Sequence, residues 1–217
     1  MSTAKKQDPN EEMQELIEKA SQIVNRLSGI ILGQKQYSMV EYRLRRRMHD
    51  LKMSSPAEYL EYLENNRAHE SSILVSILTT HKTAFFREFS HFEFLKKELP
   101  NIVEEAKKAG KKKLRIWSAA CSRGQEVYSL AIFFQNHLKT IDPQMDFEVK
   151  GSDIDPESVR IAQNGVYHKD DIKEIPMLYL SGNFAKGTGE IENYVKVKDH
   201  IRSHCEFRVQ NLITFKP

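Results

Sequence analysis

An acidic residue at the end of a predicted strand marks a candidate ligand site in the second half of the chain. Asp153 ends a segment that begins with the alternating residues Phe147-Glu148-Val149-Lys150, and Asp155 follows it next to Pro156. A carboxylate at such a strand end can accept hydrogen bonds from both hydroxyls of a ribose. Asp155-Pro156 has the pattern of a helix cap, and Asp155 is also the alternative ribose ligand. We therefore predict ribose binding by Asp153.

The loop from Ala119 to Glu126 is the second part of this site. It contains Gly124, and backbone amides in a short glycine turn can approach a ligand closely. The loop lacks the G-x-G-x-x-G spacing that brings a pyrophosphate to a helix, which argues against a dinucleotide-dependent dehydrogenase. Cys121 and Cys205 are too few and too far apart for a disulfide framework or a zinc site, and we predict no metal.

A parallel sheet is needed to position these residues. Strands are predicted at Leu114–Trp117 and at 147–150, and helices at Gln125–Leu138 and from Pro156 to about Gln163. Strand, loop, helix, strand, acid and helix in this order are typical of an open parallel sheet that binds a nucleoside-bearing ligand at its strand ends.

The first part of the chain is predicted to be all-helical. After a polar, disordered tail at 1–12, apolar residues recur from Met13 onward at the spacing of one helix face. Further helices are predicted at about Gln36–Leu51, after Ser55 with Pro56 in the first turn, at Ser71–Thr80, and from a capping box at Ser90 and Glu93 to Gly110. The predicted domains are a helical recognition domain at 13–80, a linker and helix at 81–110, and a partial sheet domain at 111–217.

Three longer segments carry a combination of motifs in a fixed order. They are Thr79–Glu88, Arg115–Ser129 and Gly151–Asp155. In content and in order they resemble the successive motifs of the chemotaxis receptor methyltransferases, the CheR family. The region of about 178–198 resembles the small antiparallel β insert of that family, and Phe207–Leu212 resembles the strand that follows it. The resemblance covers nearly all of residues 13–212.

The resemblance implies a fold, a cofactor and a reaction. The implied fold is α/β, with an N-terminal helical domain followed by a Rossmann-like domain that carries the β insert. The implied cofactor is S-adenosylmethionine, whose methyl group is transferred to glutamate side chains of chemotaxis receptors to leave S-adenosylhomocysteine. An ionised glutamate needs no general base, so we name no catalytic residue. The implied cofactor-binding residues are His81, Thr83, Arg87, Glu126, Asp153, Asn211 and Leu212.

Several of these residues have roles that suit the chemistry of the cofactor. Arg87 suits a carboxylate because its planar fork binds both oxygens. Glu126 is expected at the amino-acid end, although a glutamate in the first turn of a helix is also favoured by the helix dipole. Asn211 and Leu212 are expected at the adenine, and His81 stands where the family usually has asparagine.

Three arginines are the candidate substrate-binding residues. Arg43, Arg46 and Arg47 lie on overlapping faces of one predicted helix, and the resemblance implies docking on the glutamate-bearing helical bundle in the cytoplasmic part of a receptor. A solvated face or an intramolecular salt-bridge stripe is the alternative interpretation. Some family members also hold a receptor-tail peptide on the β insert by strand addition, which is a second docking place to consider.

Composition limits the remaining function classes. The net charge is +3, and no apolar segment approaches the roughly 20 residues that cross a bilayer. The first residues lack the apolar region of a secretory signal, so we predict a cytoplasmic protein without membrane insertion. Only the arginine cluster and Lys111–Lys113 suggest a nucleic-acid binder, and the small net charge argues against one.

The last residues raise a question about the completeness of the sheet. The family continues beyond Leu212 into a hydrophobic central strand, whereas this sequence ends at Pro217. The first strand is then expected to expose an apolar parallel edge, which dimerisation, strand exchange or another chain would cover. We expect a shortened form of a longer protein. The alternative is a family member that binds cofactor or receptor without turnover.

Overall fold

Two compact units make up the described part of the chain. The computed structural model describes residues 8–79 and 82–215. Residues 8–79 and 213–215 belong to the first unit, and residues 82–212 form the second. None of the described helices combines the length and the apolar character that a membrane span requires.

Four helices build the described part of the first unit. α1 packs against the other three helices, and its apolar stripe buries Leu16, Ala20 and Val24 completely. The predicted all-helical domain is thereby confirmed. The helices are α1 (Pro9–Ser28), α2 (Tyr37–Asp50), α3 (Pro56–Asn65) and α4 (Arg67–Leu78), with a 3-10 turn at Gln34–Gln36.

Helix α1 begins before the predicted position. It starts at Pro9 rather than Met13, because the Asp8 side chain accepts a hydrogen bond from the Asn10 amide and Pro9 suits the first turn. Residues 9–12, which were predicted to belong to the disordered tail, are therefore part of the helix. Residues 1–7 of the predicted tail lie outside the described residues. Helix α4 likewise begins at Arg67 instead of Ser71, directly after α3.

A parallel and a small antiparallel sheet organise the second unit. The strands are β1 (Lys113–Ala119), β2 (Asp146–Asp153), β3 (Val166–His168), β4 (Phe184–Lys186), β5 (Tyr194–Val197) and β6 (Cys205–Val209). The helices are α5 (Ser90–Lys108), α6 (Gln125–Ile141), α7 (Pro156–Asn164), α8 (Met177–Leu180) and α9 (Asp199–Arg202), with 3-10 turns at Lys169–Ile172 and Gly189–Ile191.

The parallel sheet has the strand order β1-β2-β6 and confirms the predicted α/β fold. Ala119 pairs with Ser152 near the end of one ladder, and Asp153 pairs with Val209 at the end of the other. Helices α6 and α7 pack on the sheet. The most deeply buried side chains of the core beside the sheet include Ile132 and Phe133 of α6 and Phe147 of β2. Because the strands are parallel, the carboxyl ends of all three meet at one edge.

Strand β1 is an edge strand of this sheet. It pairs with β2 on one side and has no neighbour on its other side in the described part of the chain. A groove of 790 Å³ follows it, lined by apolar side chains of β1, α5 and α6. This is the apolar parallel edge that the sequence predicts. The apolar lining consists mainly of Leu95, Ile102, Leu114, Ile116, Leu130 and Phe134.

The antiparallel sheet is the β insert that the resemblance implies. β5 lies between β3 and β4. The resemblance implies the insert at about 178–198, which leaves out β3 (Val166–His168). Three residues are too few to show an alternation in the sequence. The start of α5 at Ser90 is predicted correctly, but the capping box is wrong, since Phe89 occupies the cap position and no side chain caps this helix in the described residues.

Candidate functional site

Asp153 joins three segments at the carboxyl edge of the parallel sheet. Its Oδ2 accepts a hydrogen bond from the Ser122 amide at 2.7 Å, and its Oδ1 accepts one from the Asp155 amide at 2.9 Å. Its carbonyl oxygen accepts from the Gln210 amide at 2.8 Å. An ionised carboxylate has about four acceptor positions, so capacity remains for two ribose hydroxyls.

Asp155, unlike Asp153, has a structural role as a helix cap. Its carboxylate caps α7 by accepting hydrogen bonds from the amides of Glu157 at 3.3 Å and Ser158 at 3.0 Å, and the residue is 3% exposed. These contacts match the helix-cap interpretation of Asp155-Pro156. They leave Asp153 as the better placed of the two acids for a ribose.

The loop between β1 and α6 is held in a strained conformation. Ala120 and Ser122 have positive φ angles of 59° and 51°. Each such residue costs of order 1–3 kcal/mol when it is not glycine, and strain of this kind clusters at ligand sites. The intervening Cys121 is anchored because its amide donates to the Ser152 carbonyl at 2.9 Å. The loop conformation therefore supports a binding site at this position.

Gly124 allows close packing of the loop against neighbouring elements. Its φ angle is +85°, and a Cβ atom there would lie 2.7 Å from the Ala162 Cβ and 3.0 Å from the Phe207 ring. The missing side chain of Gly124 thus lets α7 and β6 pack closely on the loop.

Glu126 is exposed in the first turn of α6, and one of its two carboxylate oxygens accepts a hydrogen bond from the protein. The Ser118 hydroxyl, at the end of β1, donates to Glu126 Oε1 at 2.7 Å. Ser118 is only 2% exposed, so the carboxylate is fixed beside the carboxyl edge of the sheet. The sequence alone does not single out Ser118, because its hydrogen bond to Glu126 becomes visible only in the folded structure.

The segment that carries Thr83 and Arg87 is anchored to the same helix. The Phe86 amide donates to Ser129 Oγ at 2.9 Å. Thr83 is half-buried, and Arg87 is exposed with its Nη1 donating to the Lys82 carbonyl at 3.1 Å. Arg87 is thereby placed on the surface of the second unit with its guanidinium accessible.

The remaining cofactor candidates follow β6 or lie outside the described residues. Asn211 is half-buried and Leu212 is 46% exposed, directly after Gln210. His81 lies outside the described residues. The structure thus brings Asp153, the β1–α6 loop and the segment after β6 together at one edge.

Buried polar atoms test whether this region fits S-adenosylmethionine. Ser122 Oγ, Gln125 Oε1 and Gln210 Nε2 are buried without a hydrogen-bond partner among the described residues. Unpaired buried polar groups are costly, and a polar ligand can supply their partners. A hydroxyl, an acceptor and a donor suit a ligand that carries hydroxyls, ring nitrogens and an amino-acid end. The residues present therefore fit the cofactor.

Cys121 does not act as a nucleophile in this site. Burial, together with the negative charge of Asp153, raises the pKa of the Cys121 thiol to about 12. The thiol is neutral at physiological pH, and it is the thiolate that reacts.

The three arginines of α2 differ sharply in their contacts. Arg47 forms a two-point ion pair with Glu70, with Nε to Oε1 at 2.8 Å and Nη2 to Oε2 at 2.7 Å. The Glu70 side chain is fully buried and also accepts from the Tyr59 hydroxyl at 2.6 Å. This part of the arginine cluster matches the alternative interpretation as an intramolecular salt bridge.

Arg43 also has an internal partner, whereas Arg46 does not. Arg43 Nη1 donates to the carbonyls of Ile77 and Thr79 at 2.7 and 2.6 Å, which satisfies the end of α4. Arg46 is exposed and makes no hydrogen bond or ion pair within the described ranges. Of the three, Arg46 is therefore the one whose whole guanidinium is available to a partner, as far as the described residues show.

Fold and site together define an α/β protein with a candidate cofactor site at the strand ends of a parallel sheet. Residues 81–217 match the domain described as the CheR methyltransferase, SAM binding domain, and residues 15–79 match its all-alpha domain. The chain belongs to the CheR methyltransferase family.

Curated relatives support the same family. The chain is 34% identical over 194 residues to a chemotaxis protein methyltransferase of Escherichia coli, which is 89% of this chain and 64% of the relative. It is 36% identical over 188 residues to chemotaxis protein methyltransferase 2 of Pseudomonas aeruginosa, again 64% of the relative and 87% of this chain. The chain thus spans less than two thirds of the length of these relatives.

Proposed function

We propose that this chain binds S-adenosylmethionine and, within its protein, methylates glutamate side chains of chemotaxis receptors in the cytoplasm. The observation that carries the proposal is the meeting of Asp153, the strained β1–α6 loop and Gln210 at one edge of the parallel sheet. Membership of a family with a SAM-binding domain supports the same cofactor.

The residues of the chain account for binding and alignment. Asp153 would accept hydrogen bonds from the ribose hydroxyls, Arg87 would pair with the carboxylate of the amino-acid end, and Glu126 would pair with its ammonium. When bound, S-adenosylmethionine supplies a sulfonium methyl group that an ionised glutamate can attack without a general base. The protein then contributes alignment of the reactants and exclusion of water. Thr83, Asn211 and Leu212 are proposed to line the rest of the pocket.

Receptor docking is proposed at two places. The exposed Arg46 can pair with receptor glutamates, whereas Arg43 and Arg47 would act indirectly because they hold the helical unit together. In the insert, β4 pairs on one side with β5 and has no second neighbour among the described residues. A receptor-tail peptide can add to this free edge as a strand.

Transfer of labelled methyl groups to a purified cytoplasmic receptor fragment tests the proposal. We expect base-labile label on the receptor, with slower transfer after Arg46→Glu and after removal of the receptor tail. Arg26→Glu, on the exposed surface of α1, is the charge-matched control and should leave the rate unchanged. Binding of S-adenosylhomocysteine without transfer would favour a noncatalytic module, and no binding by the folded chain would refute the cofactor site.

We also propose that two copies of the chain pair through the free edge of β1. The apolar groove beside β1 supports this pairing. Of the cations along it, Lys113 and Arg115 pair with Asp146 and Glu148, whereas Lys111 and Lys112 have no acidic partner within the described residues. These cations repel each other when two copies meet, and salt screens the repulsion.

Sedimentation equilibrium at low and high salt measures this dimer. We expect association to be tighter at high salt, and Ile116→Glu, which places a charge in the groove, to abolish it. Met177→Glu is the control because that side chain is 74% exposed and lies outside the groove. A chain that stays monomeric at both salt concentrations would contradict the dimer.

A further inference from the structure

Ser129 is a buried hydroxyl that links two segments of the candidate site. The residue lies on α6 and is 0% exposed. Its Oγ accepts a hydrogen bond from the Phe86 amide at 2.9 Å, and its hydroxyl donates to the Gln125 carbonyl at 2.7 Å. The hydroxyl therefore ties the 83–88 segment to the first turn of α6.

The segment that Ser129 holds is strained. Phe86 and Glu88 have positive φ angles of 50° and 53°. A bulky residue adopts this conformation only where surrounding contacts enforce it, and such strain is typical of functional sites. Phe86 is 5% exposed, so its amide has no access to water as a replacement for Ser129.

We propose that Ser129 is a positioning residue for the amino-acid end of the cofactor. Arg87 directly follows Phe86, and Glu126 lies about one helical turn before Ser129 on α6. One hydroxyl thereby sets the spacing between a cation and an anion that suit the carboxylate and the ammonium of an amino acid. The inference rests on the proposed function, because it requires the cofactor to bind at this edge.

Two ligands that differ only in the amino-acid end provide the test. They are S-adenosylhomocysteine and 5′-methylthioadenosine, both titrated calorimetrically into the whole chain. We expect Ser129→Ala to raise the Kd of S-adenosylhomocysteine about tenfold, because charge-assisted contacts are misplaced, and to leave that of 5′-methylthioadenosine within about twofold. Ser129→Cys keeps a weak donor and acceptor and should restore part of the affinity.

A stability control separates positioning from general loosening. Ile132→Val removes one methyl group at another fully buried position of α6 without removing a hydrogen bond, and both Kd values should stay at the wild-type level. An unchanged Kd of S-adenosylhomocysteine in Ser129→Ala, or an equal loss for both ligands, overturns the inference. If the wild-type chain binds neither ligand, the proposed function itself fails, which is a distinct result.

Discussion

Asp153→Ala is expected to raise the Kd of S-adenosylhomocysteine about 100-fold or more, because two ribose hydroxyls lose a charged acceptor. Each hydrogen bond to a charged group contributes roughly 1.5–3 kcal/mol, and 1.4 kcal/mol corresponds to about tenfold in affinity. The variant also removes the acceptor of the Ser122 amide, so the strained loop is released. Calorimetric titration measures the change directly.

Two amide variants refine this test. Asp153→Asn keeps one acceptor oxygen and should lose about tenfold in affinity, between alanine and wild type. Asp155→Asn keeps a good helix cap for α7 and should bind S-adenosylhomocysteine as wild type does. An unchanged Kd in Asp153→Ala, or an equal loss in Asp155→Asn, would show that the ribose ligand is assigned to the wrong acid.

Arg47→Ala is expected to lower the free energy of unfolding by about 3–5 kcal/mol, because it leaves a buried carboxylate without its cation. The Glu70 side chain is fully buried, whereas that of Arg47 is 19% exposed. Glu70→Ala should therefore cost less, since the arginine can reach water and the main loss is the Tyr59 hydroxyl bond. Urea unfolding measures both losses.

A double variant and a neighbouring arginine serve as controls. The combined loss in the double variant of Arg47 and Glu70 should be smaller than the sum of the single losses, because neither charge is then stranded. Arg46→Ala should change stability by no more than about 0.5 kcal/mol, as expected for an exposed residue. Equal losses for Arg46→Ala and Arg47→Ala would contradict the assigned roles.

The same ion pair makes stability depend on pH. Burial alone would raise the pKa of Glu70, but the hydrogen bonds from Arg47 and Tyr59 outweigh it and lower the pKa below its ordinary value. A carboxylate with a lowered pKa contributes stability above its unfolded pKa of about 4.3, and this contribution is lost as the pH falls through the folded pKa. Glu70→Gln should flatten that part of the stability profile.

Local features of the fold were predictable because their causes are local. Helix α3 begins as expected with the Ser55 hydroxyl accepting from the Glu58 amide, and α6 begins at Gln125 as predicted. Strands β1 and β2 appear where apolar residues alternate. Strand β3 and the early start of α4 were missed, since the first is too short for a pattern and the second has no capping side chain in the described residues.

The sequence by itself determined the family, the order of elements and the candidate residues, because motif content and helix and strand periodicity are properties of short segments. The tertiary structure alone decided which partners those residues contact. Arg47 meets Glu70 from 23 positions away and Phe86 meets Ser129 from 43 positions away. Gly124 was given a packing role by α7 and β6, which fold against it. Partners distant in the chain are chosen by packing, and no local pattern records that choice.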